Sequence, residues 1–249
     1  MNVVILAGGY GTRLHEKTHK IPKPMVNIGR KPILLHIIDY FLKFNCQKFI
    51  ICSGYKGNYI TNYLDKNYKR INRQTFRYKN AEIKVINTGV KTNTGGRIYA
   101  IKEYLDDDFF ITYGDGLSDV NLDMVKKLNK KNNTALTISV GHPSSRFGLI
   151  NIKNSKVTEF KEKPKLKEWI NIGYMYGNLK LLDYIKKDDI FEVDTMGRLV
   201  NAKQLSAYKH SGEFFPVDNM RDLREINKIF KEEKAFWIWK YLLLAVQDS

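Results

Sequence analysis

The stretch LAGGYGTRLHEKTHKIPKP occupies Leu6 to Pro24, directly after the apolar opening MNVVI. Glycines at 8, 9 and 11 allow a tight turn with positive φ and expose backbone N–H groups, because no Cβ stands in the way. Such a turn forms a concave anion site. Arg13 adds a planar fork of donors that matches a phosphate, and Lys23 adds a compact charge between two prolines of restricted backbone. The stretch predicts a phosphate-binding loop after the first strand.

This loop fits neither of the two common phosphate-binding patterns. No Gly-Lys-Ser/Thr follows Gly11, and the third glycine and downstream acid of the dinucleotide fingerprint are missing. On the glycines alone, a plain strand-to-helix turn with solvated charges is the alternative.

Together with later segments, L-A-G-G-x-G-T-R-L followed by P-K-P-M resembles the signature of the sugar-phosphate nucleotidyltransferases, in its cytidylyltransferase form. The likeness extends over nearly the whole chain and includes, in the order of that family, KPILLHII (31–38), FIICSGYKG (49–57), NTGGRI (93–98), ITYGDGLSD (111–119), RFGLINI (146–152), FKEKPK (160–165), INIGYM (170–175) and FFPVDNMRDL (214–223). It implies transfer of CMP from CTP to a sugar 1-phosphate, glucose 1-phosphate first of all, giving pyrophosphate and a CDP-sugar for surface polysaccharide synthesis.

Apolar runs of strand length alternate with helical patterns along the first half of the chain. The runs are 2–7, 48–53, 82–87, 108–113 and 134–140, and the helical patterns lie near 33–44, 57–66, 95–105 and 121–131. This alternation predicts an α/β fold with a mainly parallel central sheet and helices on both faces. The resemblance implies the Rossmann-like, GT-A-like form of that fold.

We predict a single domain, 1–249, with a nucleotide-binding half (1–145), an acceptor-binding half (146–235) and a C-terminal helix (236–249). Short strands at 147–152, 156–161, 170–176 and 204–210 predict a small antiparallel layer on the acceptor side. The helix carries FWIWKYLLLAV (236–246), which is too short to span a bilayer. We expect it to be buried against its own domain or against a second copy in a homo-oligomer.

Asp115 and Asp218 each follow a short apolar run. Without further context, Asp115 is a turn former and Asp218 a cap for a helix that begins near Met220. The resemblance instead implies that both bind one Mg²⁺, whose hard oxygen ligands suit carboxylates. Two such carboxylates are expected to repel one another until the cation binds. Together with Arg13 and Lys23, they are the predicted catalytic residues.

The predicted nucleotide site combines the first loop with the segment TNTGGRI. The resemblance implies that small residues here admit the cytosine edge and that Arg97 reaches the base or its phosphates. By spacing alone, the segment is a helix N-terminus after a glycine turn. The complete set of predicted nucleotide-binding residues is Leu6, Ala7, Gly8, Gly9, Gly11, Thr12, Arg13, Lys23, Thr92, Gly95, Gly96, Arg97 and Gly114.

The predicted acceptor residues are carried over from the resemblance, and the alternative for the charged ones is a solvated hairpin. They are Gly148, Glu162, Lys163, Asn171 and Gly173. The family has two successive glycines here, and Ile172 replaces the first of them, directly before Gly173. We therefore expect Ile172 to reduce the space for the acceptor. The segment 192–195 also departs from the family's Glu-x-Glu-Pro, and the stretch between 64 and 88 is shorter than in the family. Another phosphorylated acceptor, or a non-catalytic nucleotide-binding scaffold, therefore stays open.

The chain carries a formal net charge of +16, with 32 lysines and 10 arginines. Its lysines are scattered and no nucleic-acid-binding motif is visible, so we expect anionic small substrates and no nucleic-acid partner. Cys46 and Cys52 have no zinc-type spacing and are expected to be reduced core thiols in a cytoplasmic protein with no membrane partner.

The remaining acids and histidines are expected to be structural. Asp119 and the run 106–108 read as solvated turns, and His36 reads as a core histidine. No ligand spacing links the other histidines, which are His15, His19, His142 and His210.

Overall fold

A computed structural model of the chain describes residues 1–11, 21–145 and 147–238. Its strands are β1 (Asn2–Ala7), β2 (Asn27–Ile28), β3 (Lys31–Pro32), β4 (Lys48–Ser53), β5 (Lys69–Arg70), β6 (Thr75–Tyr78), β7 (Ala81–Asn87), β8 (Phe109–Tyr113), β9 (Gly116–Ser118), β10 (Leu136–Gly141), β11 (Leu149–Lys153), β12 (Lys156–Lys161), β13 (Ile170–Gly177), β14 (Leu205–Lys209) and β15 (Phe214–Pro216). Its α-helices are α1 (Ile33–Leu42), α2 (Gly57–Asn67), α3 (Thr94–Tyr99), α4 (Leu122–Asn132), α5 (Met196–Asn201) and α6 (Met220–Lys231).

Nine of these strands form one sheet in the order β14-β10-β13-β8-β1-β4-β7-β6-β5. Strands β8, β1, β4 and β7 are parallel, and β1 runs in register with both neighbours, Asn2 opposite Lys48 and Phe109. The carboxyl ends of these four strands therefore meet at one edge, where ligands bind in open α/β sheets. The mainly parallel sheet predicted from the sequence is confirmed.

Both faces of the sheet are covered. Along β1, Val3 and Ile5 pack in one buried apolar cluster, while Val4 and Leu6 pack in a second cluster on the other face. A strand buried on both faces has an uninterrupted apolar sequence, as the opening NVVILA does. Helices on both faces are confirmed: α1 joins the first cluster, whereas Ile98 of α3 and Leu199 of α5 join the second.

The acceptor-side strands divide between two structures. Strands β11 and β12 form a separate antiparallel hairpin, as predicted for a small layer. The two later strands, β13 and β14, were predicted to join that small layer but belong to the nine-stranded sheet. There β13 pairs antiparallel with β8 and β10, and β14 pairs parallel with β10. The reason is burial: most of β13 is enclosed, whereas the hairpin is exposed along its whole length.

The start of the predicted C-terminal helix packs against the chain's own domain. Trp237 is 2% exposed, and its indole N–H donates to His36 Nδ1 at 3.2 Å. The His36 Nε2 lies 3.1 Å from the carbonyl of Ile28, so the expected core histidine is confirmed. Residues 239–249 lie outside the described residues. Within the described part of the chain, no helix combines the length and apolar character needed to cross a bilayer.

Candidate active site

A cleft of about 560 Å³ opens at the carboxyl ends of β1 and β8. Its volume is within the range of about 300–1,000 Å³ that is usual for small-molecule sites. Of the predicted nucleotide residues, those that line it are Leu6, Ala7, Gly8, Gly9, Gly11, Lys23, Thr92, Arg97 and Gly114. Both predicted metal ligands, Asp115 and Asp218, line it too. Thr12 and Arg13 lie outside the described residues.

The ammonium of Lys23 lies between the two aspartates. Its Nζ donates to Asp115 Oδ2 at 2.6 Å and to Asp218 Oδ1 at 2.7 Å. The Lys23 side chain is 12% exposed, which shelters both ion pairs from solvent. Burial lowers the pKa of Lys23, but the two carboxylates outweigh burial, so this pKa is raised and the ammonium stays charged. Two carboxylates that enclose a cation are a donor set that fits Mg²⁺ completed by waters and phosphate oxygens.

Local backbone structure fixes Lys23 and Asp115. Lys23 begins a short 3₁₀ turn, Lys23–Met25, after the extended Pro22. The ring of Pro24 packs against Gly114, where a Cβ would lie 2.8 Å from Pro24 Cγ. Glycine is therefore required at 114 for the lysine segment to approach the end of β8.

A strand pair joins the two aspartates. Strand β9 pairs antiparallel with β15, with Gly116 opposite Pro216, and the N–H of Val217 donates to the carbonyl of Asp115 at 2.9 Å. Asp218 therefore emerges beside Asp115. The alternative role of Asp218 as a helix cap is wrong, because Asn219 caps α6 in a capping box with Asp222.

Arg97 is buried beneath the glycine loop. Its guanidinium donates to the carbonyls of Gly8, Ser53 and Gly89, at 2.9, 3.1 and 2.8 Å, and to Thr88 Oγ1 at 2.7 Å. These acceptors follow or end three parallel strands, so the side chain ties the strand ends together. Burial lowers the pKa of Arg97. No carboxylate forms an ion pair with it among the described residues, so its charge adds to the positive potential of the cleft.

The two glycines of TGGR do not line the cleft. A Cβ at Gly95 would lie 2.6 Å from Asp189 Cβ, and one at Gly96 would lie 2.3 Å from the carbonyl oxygen of Lys187. Both glycines admit the 187–189 backbone against α3. Thr92 does line the cleft, and its hydroxyl donates to the carbonyl of Thr88 at 2.6 Å.

Glu192 is a cleft residue that the sequence reasoning did not select. Its carboxylate accepts hydrogen bonds from the hydroxyl of Tyr113 and, at 2.7 Å, from the hydroxyl of Thr94. It therefore links the end of β8 to the first turn of α3. Burial, and then the Glu192 charge, raise the pKa of Tyr113, which keeps the phenol protonated as a donor. The signal in the sequence was the altered segment 192–195, which folds as a single π-helical turn, Phe191–Thr195.

The predicted acceptor residues fall into two groups, and none of them lines the cleft. A Cβ at Gly148 would lie 3.3 Å from Glu162 Oε2, and Glu162 pairs with Lys163 at 3.4 Å in an exposed position at the base of the hairpin. Gly173, with φ +81°, lies against the ring of Tyr113. Asn171 accepts a hydrogen bond from the Gly173 N–H at 2.9 Å.

Ile172 and Asp119 differ from expectation. Ile172 lies on the same face of β13 as Tyr174 and Tyr176 and joins the same buried cluster, where it is 3% exposed. It therefore takes no room from the cleft. Asp119 is no solvated turn residue: its side chain is 5% exposed and lies 2.9 Å from His210 Nε2. Packing between segments that are distant in the sequence decides both outcomes.

The sequence profile of the nucleotidyl transferase family matches residues 2–237. The chain belongs to this family of enzymes. The glucose-1-phosphate cytidylyltransferase of Salmonella typhimurium is 36% identical, covering 95% of this chain and 98% of that protein. The probable glucose-1-phosphate cytidylyltransferase of Bacillus subtilis is 34% identical, with 96% and 100% covered. Among solved structures, HddC from Yersinia pseudotuberculosis has a TM-score of 0.68 at 27% identity, covering 92% of this chain and 99% of that one.

Proposed function

We propose that this protein transfers CMP from CTP to a sugar 1-phosphate, glucose 1-phosphate first of all, and releases pyrophosphate. The observation that carries the proposal is the ammonium of Lys23 held between Asp115 and Asp218 in the cleft that the Gly8–Gly11 loop lines. A cation, two carboxylates and exposed backbone N–H groups together position a triphosphate and neutralise it. The two cytidylyltransferase relatives support the choice of cytosine and of glucose 1-phosphate.

The proposed reaction is an in-line displacement at the α-phosphorus. An oxygen of the acceptor phosphate forms a bond to that phosphorus, and the bond from it to the bridging β-phosphate oxygen breaks, so that pyrophosphate leaves with the electron pair. The acceptor phosphate is already ionised at neutral pH, so no general base is needed. Positioning and charge neutralisation carry the catalysis.

Each charged residue has a role in this proposal. Lys23 binds the α-phosphate as negative charge develops there. Asp115 and Asp218 would hold Mg²⁺, which supplies charge neutralisation between the phosphates when bound. On the resemblance of its motif, Arg13 holds the leaving phosphates and Lys163 the incoming one.

A cytidylyltransferase for a different phosphorylated acceptor is the second candidate. It is favoured by one observation: Glu162 and Lys163 lie outside the cleft lining and pair with each other on an exposed surface.

A pyrophosphate-release assay that crosses four nucleoside triphosphates with a panel of sugar and non-sugar phosphates separates these candidates. We expect release with CTP, Mg²⁺ and glucose 1-phosphate. Release with CTP and only another acceptor would select the second candidate. No release with any pair would refute transfer and leave a nucleotide-binding scaffold.

We also propose that the protein is a homo-oligomer that buries the β11–β12 hairpin. The hairpin exposes apolar side chains that are 50–63% accessible, namely Ile150, Ile152, Val157 and Phe160. An isolated two-stranded hairpin is marginally stable in water, and apolar patches of this kind mark interfaces. Light scattering should show Phe160→Lys dissociating the oligomer, whereas Val200→Lys, at an exposed apolar site on α5, should leave its mass unchanged. A monomeric wild-type protein would refute this proposal.

We place the enzyme in the cytoplasm, where glutathione and thioredoxin keep thiols reduced. Cys46 and Cys52 are both free and buried. Burial raises the pKa of each thiol to about 12, which makes both poor nucleophiles.

A further inference from the structure

The ammonium of Lys23 occupies the position between the carboxylates that a divalent cation needs. Its nitrogen is 2.6 Å from Asp115 Oδ2 and 2.7 Å from Asp218 Oδ1. Mg²⁺ binds oxygen at about 2.0–2.1 Å and tolerates little distortion. A divalent cation that binds these two oxygens must displace the ammonium or lie beside it, and two positive charges a few ångströms apart repel each other.

The surroundings make this competition strong. Lys23 is 12% exposed, Asp218 18% and Asp115 34%, so solvent screens the ion pairs only in part. Pro22 and Pro24 restrict the backbone on both sides of Lys23. Its long flexible stem is therefore the part that is able to move.

We propose that Lys23 is an internal counter-ion that keeps divalent cations out of the site until a triphosphate arrives. A phosphate in the cleft offers the Lys23 ammonium a new partner. When the ammonium moves to the phosphate, both carboxylates become available to a divalent cation. Cation and triphosphate then strengthen each other's binding, since coupling between two ligands is reciprocal. The inference rests on the proposed function in one respect, that this site takes a triphosphate with a divalent cation.

The test is Mn²⁺ binding in the absence of nucleotide, measured by electron paramagnetic resonance and isothermal titration calorimetry. Wild type is expected to bind Mn²⁺ weakly. Lys23→Met, which keeps the apolar stem and removes the charge, is expected to bind at least tenfold more tightly, although it removes a residue that the proposed reaction needs. Lys23→Arg keeps the charge and should bind as weakly as wild type.

Two further variants locate the effect. Lys91→Met, at an exposed lysine that lines the same cleft, should leave Mn²⁺ affinity unchanged. The double variant Lys23→Met with Asp115→Asn should lose the affinity gained, because one carboxylate of the pair is gone. Lys23→Gln serves as the uncharged variant if Lys23→Met does not fold, which circular dichroism establishes beforehand.

Equal or weaker Mn²⁺ binding by the uncharged variant would overturn the inference. So would a gain that persists in the double variant, since the cation would then bind elsewhere. Failure of the proposed function would give a different result: no pair of substrates would release pyrophosphate, while the uncharged variant would still bind Mn²⁺ more tightly than wild type.

Discussion

Replacing Asp218 with asparagine tests whether its carboxylate has a catalytic or a structural role. The Asp218 side chain accepts a hydrogen bond from Lys23 at 2.7 Å. It does not cap α6, because Asn219 is the N-cap of that helix. Asparagine keeps the size and one acceptor oxygen but removes the charge. Loss of one preorganised electrostatic group typically costs about 3–4 kcal/mol of transition-state stabilisation. We therefore expect kcat to fall about 10²–10³-fold.

The same substitution should have a small effect on stability. Repulsion between the two carboxylates, expected from the sequence, would make Asp218→Asn stabilising. The structure reverses this expectation, because Lys23 lies between them and loses one charged partner in the variant. We expect the free energy of unfolding to fall by about 1 kcal/mol, since the pair is partly exposed and asparagine still accepts a hydrogen bond.

The assays are pyrophosphate release at saturating and at limiting Mg²⁺, and urea unfolding of the same samples. Asp123→Asn, at an exposed position in the first turn of α4, is the matched control and should keep both activity and stability. Near-normal turnover of Asp218→Asn at both Mg²⁺ concentrations would refute the metal-ligand assignment. A gain in stability would refute the ion-pair argument.

Three more predictions concern residues around the cleft and the core. Glu192→Gln should raise KM for one of the two substrates about tenfold, close to 1.4 kcal/mol, because Tyr113 and Thr94 donate to different oxygens of Glu192 and Gln presents an NH₂ group to one of them. Tyr113→Phe should shift the same KM, and unchanged values for both substrates in steady-state kinetics would contradict this. Burial lowers the pKa of His36 to about 4, so the unfolded state binds more protons between pH 4 and 6.5, and stability should decrease as the pH is lowered from 6.5 to 4. The loss of stability amounts to about 3 kcal/mol at most. Urea unfolding monitored by tryptophan fluorescence measures it, and His36→Gln should abolish this pH dependence. Arg97→Lys should lower the free energy of unfolding by about 2–4 kcal/mol, because lysine cannot reach all four acceptors; a loss below about 0.5 kcal/mol would show that the strand ends do not depend on it.

The sequence by itself determined the parallel core and the nucleotide half of the site. The alternation of apolar runs with helical patterns predicted a mainly parallel sheet, and β1, β4, β7 and β8 lie where those runs stand. Glycines directly after β1 predicted a turn at the ligand-binding edge of the sheet, and that turn lines the cleft. These features are local, because each depends on residues that are neighbours in the chain.

Only the tertiary structure decided which distant groups meet. Asp218 lies beside Asp115 because β15 pairs with β9, and an apolar pattern does not reveal a strand's partner. Ile172 is buried with Tyr174 and Tyr176 because that face of β13 packs into the core, and the sequence does not say which face of a strand is covered. Glu192 reaches the cleft through a π-helical turn that packs on α3. Lys23 binds its two aspartates across 92 and 195 residues of sequence, and its role as their counter-ion exists only once the chain has folded.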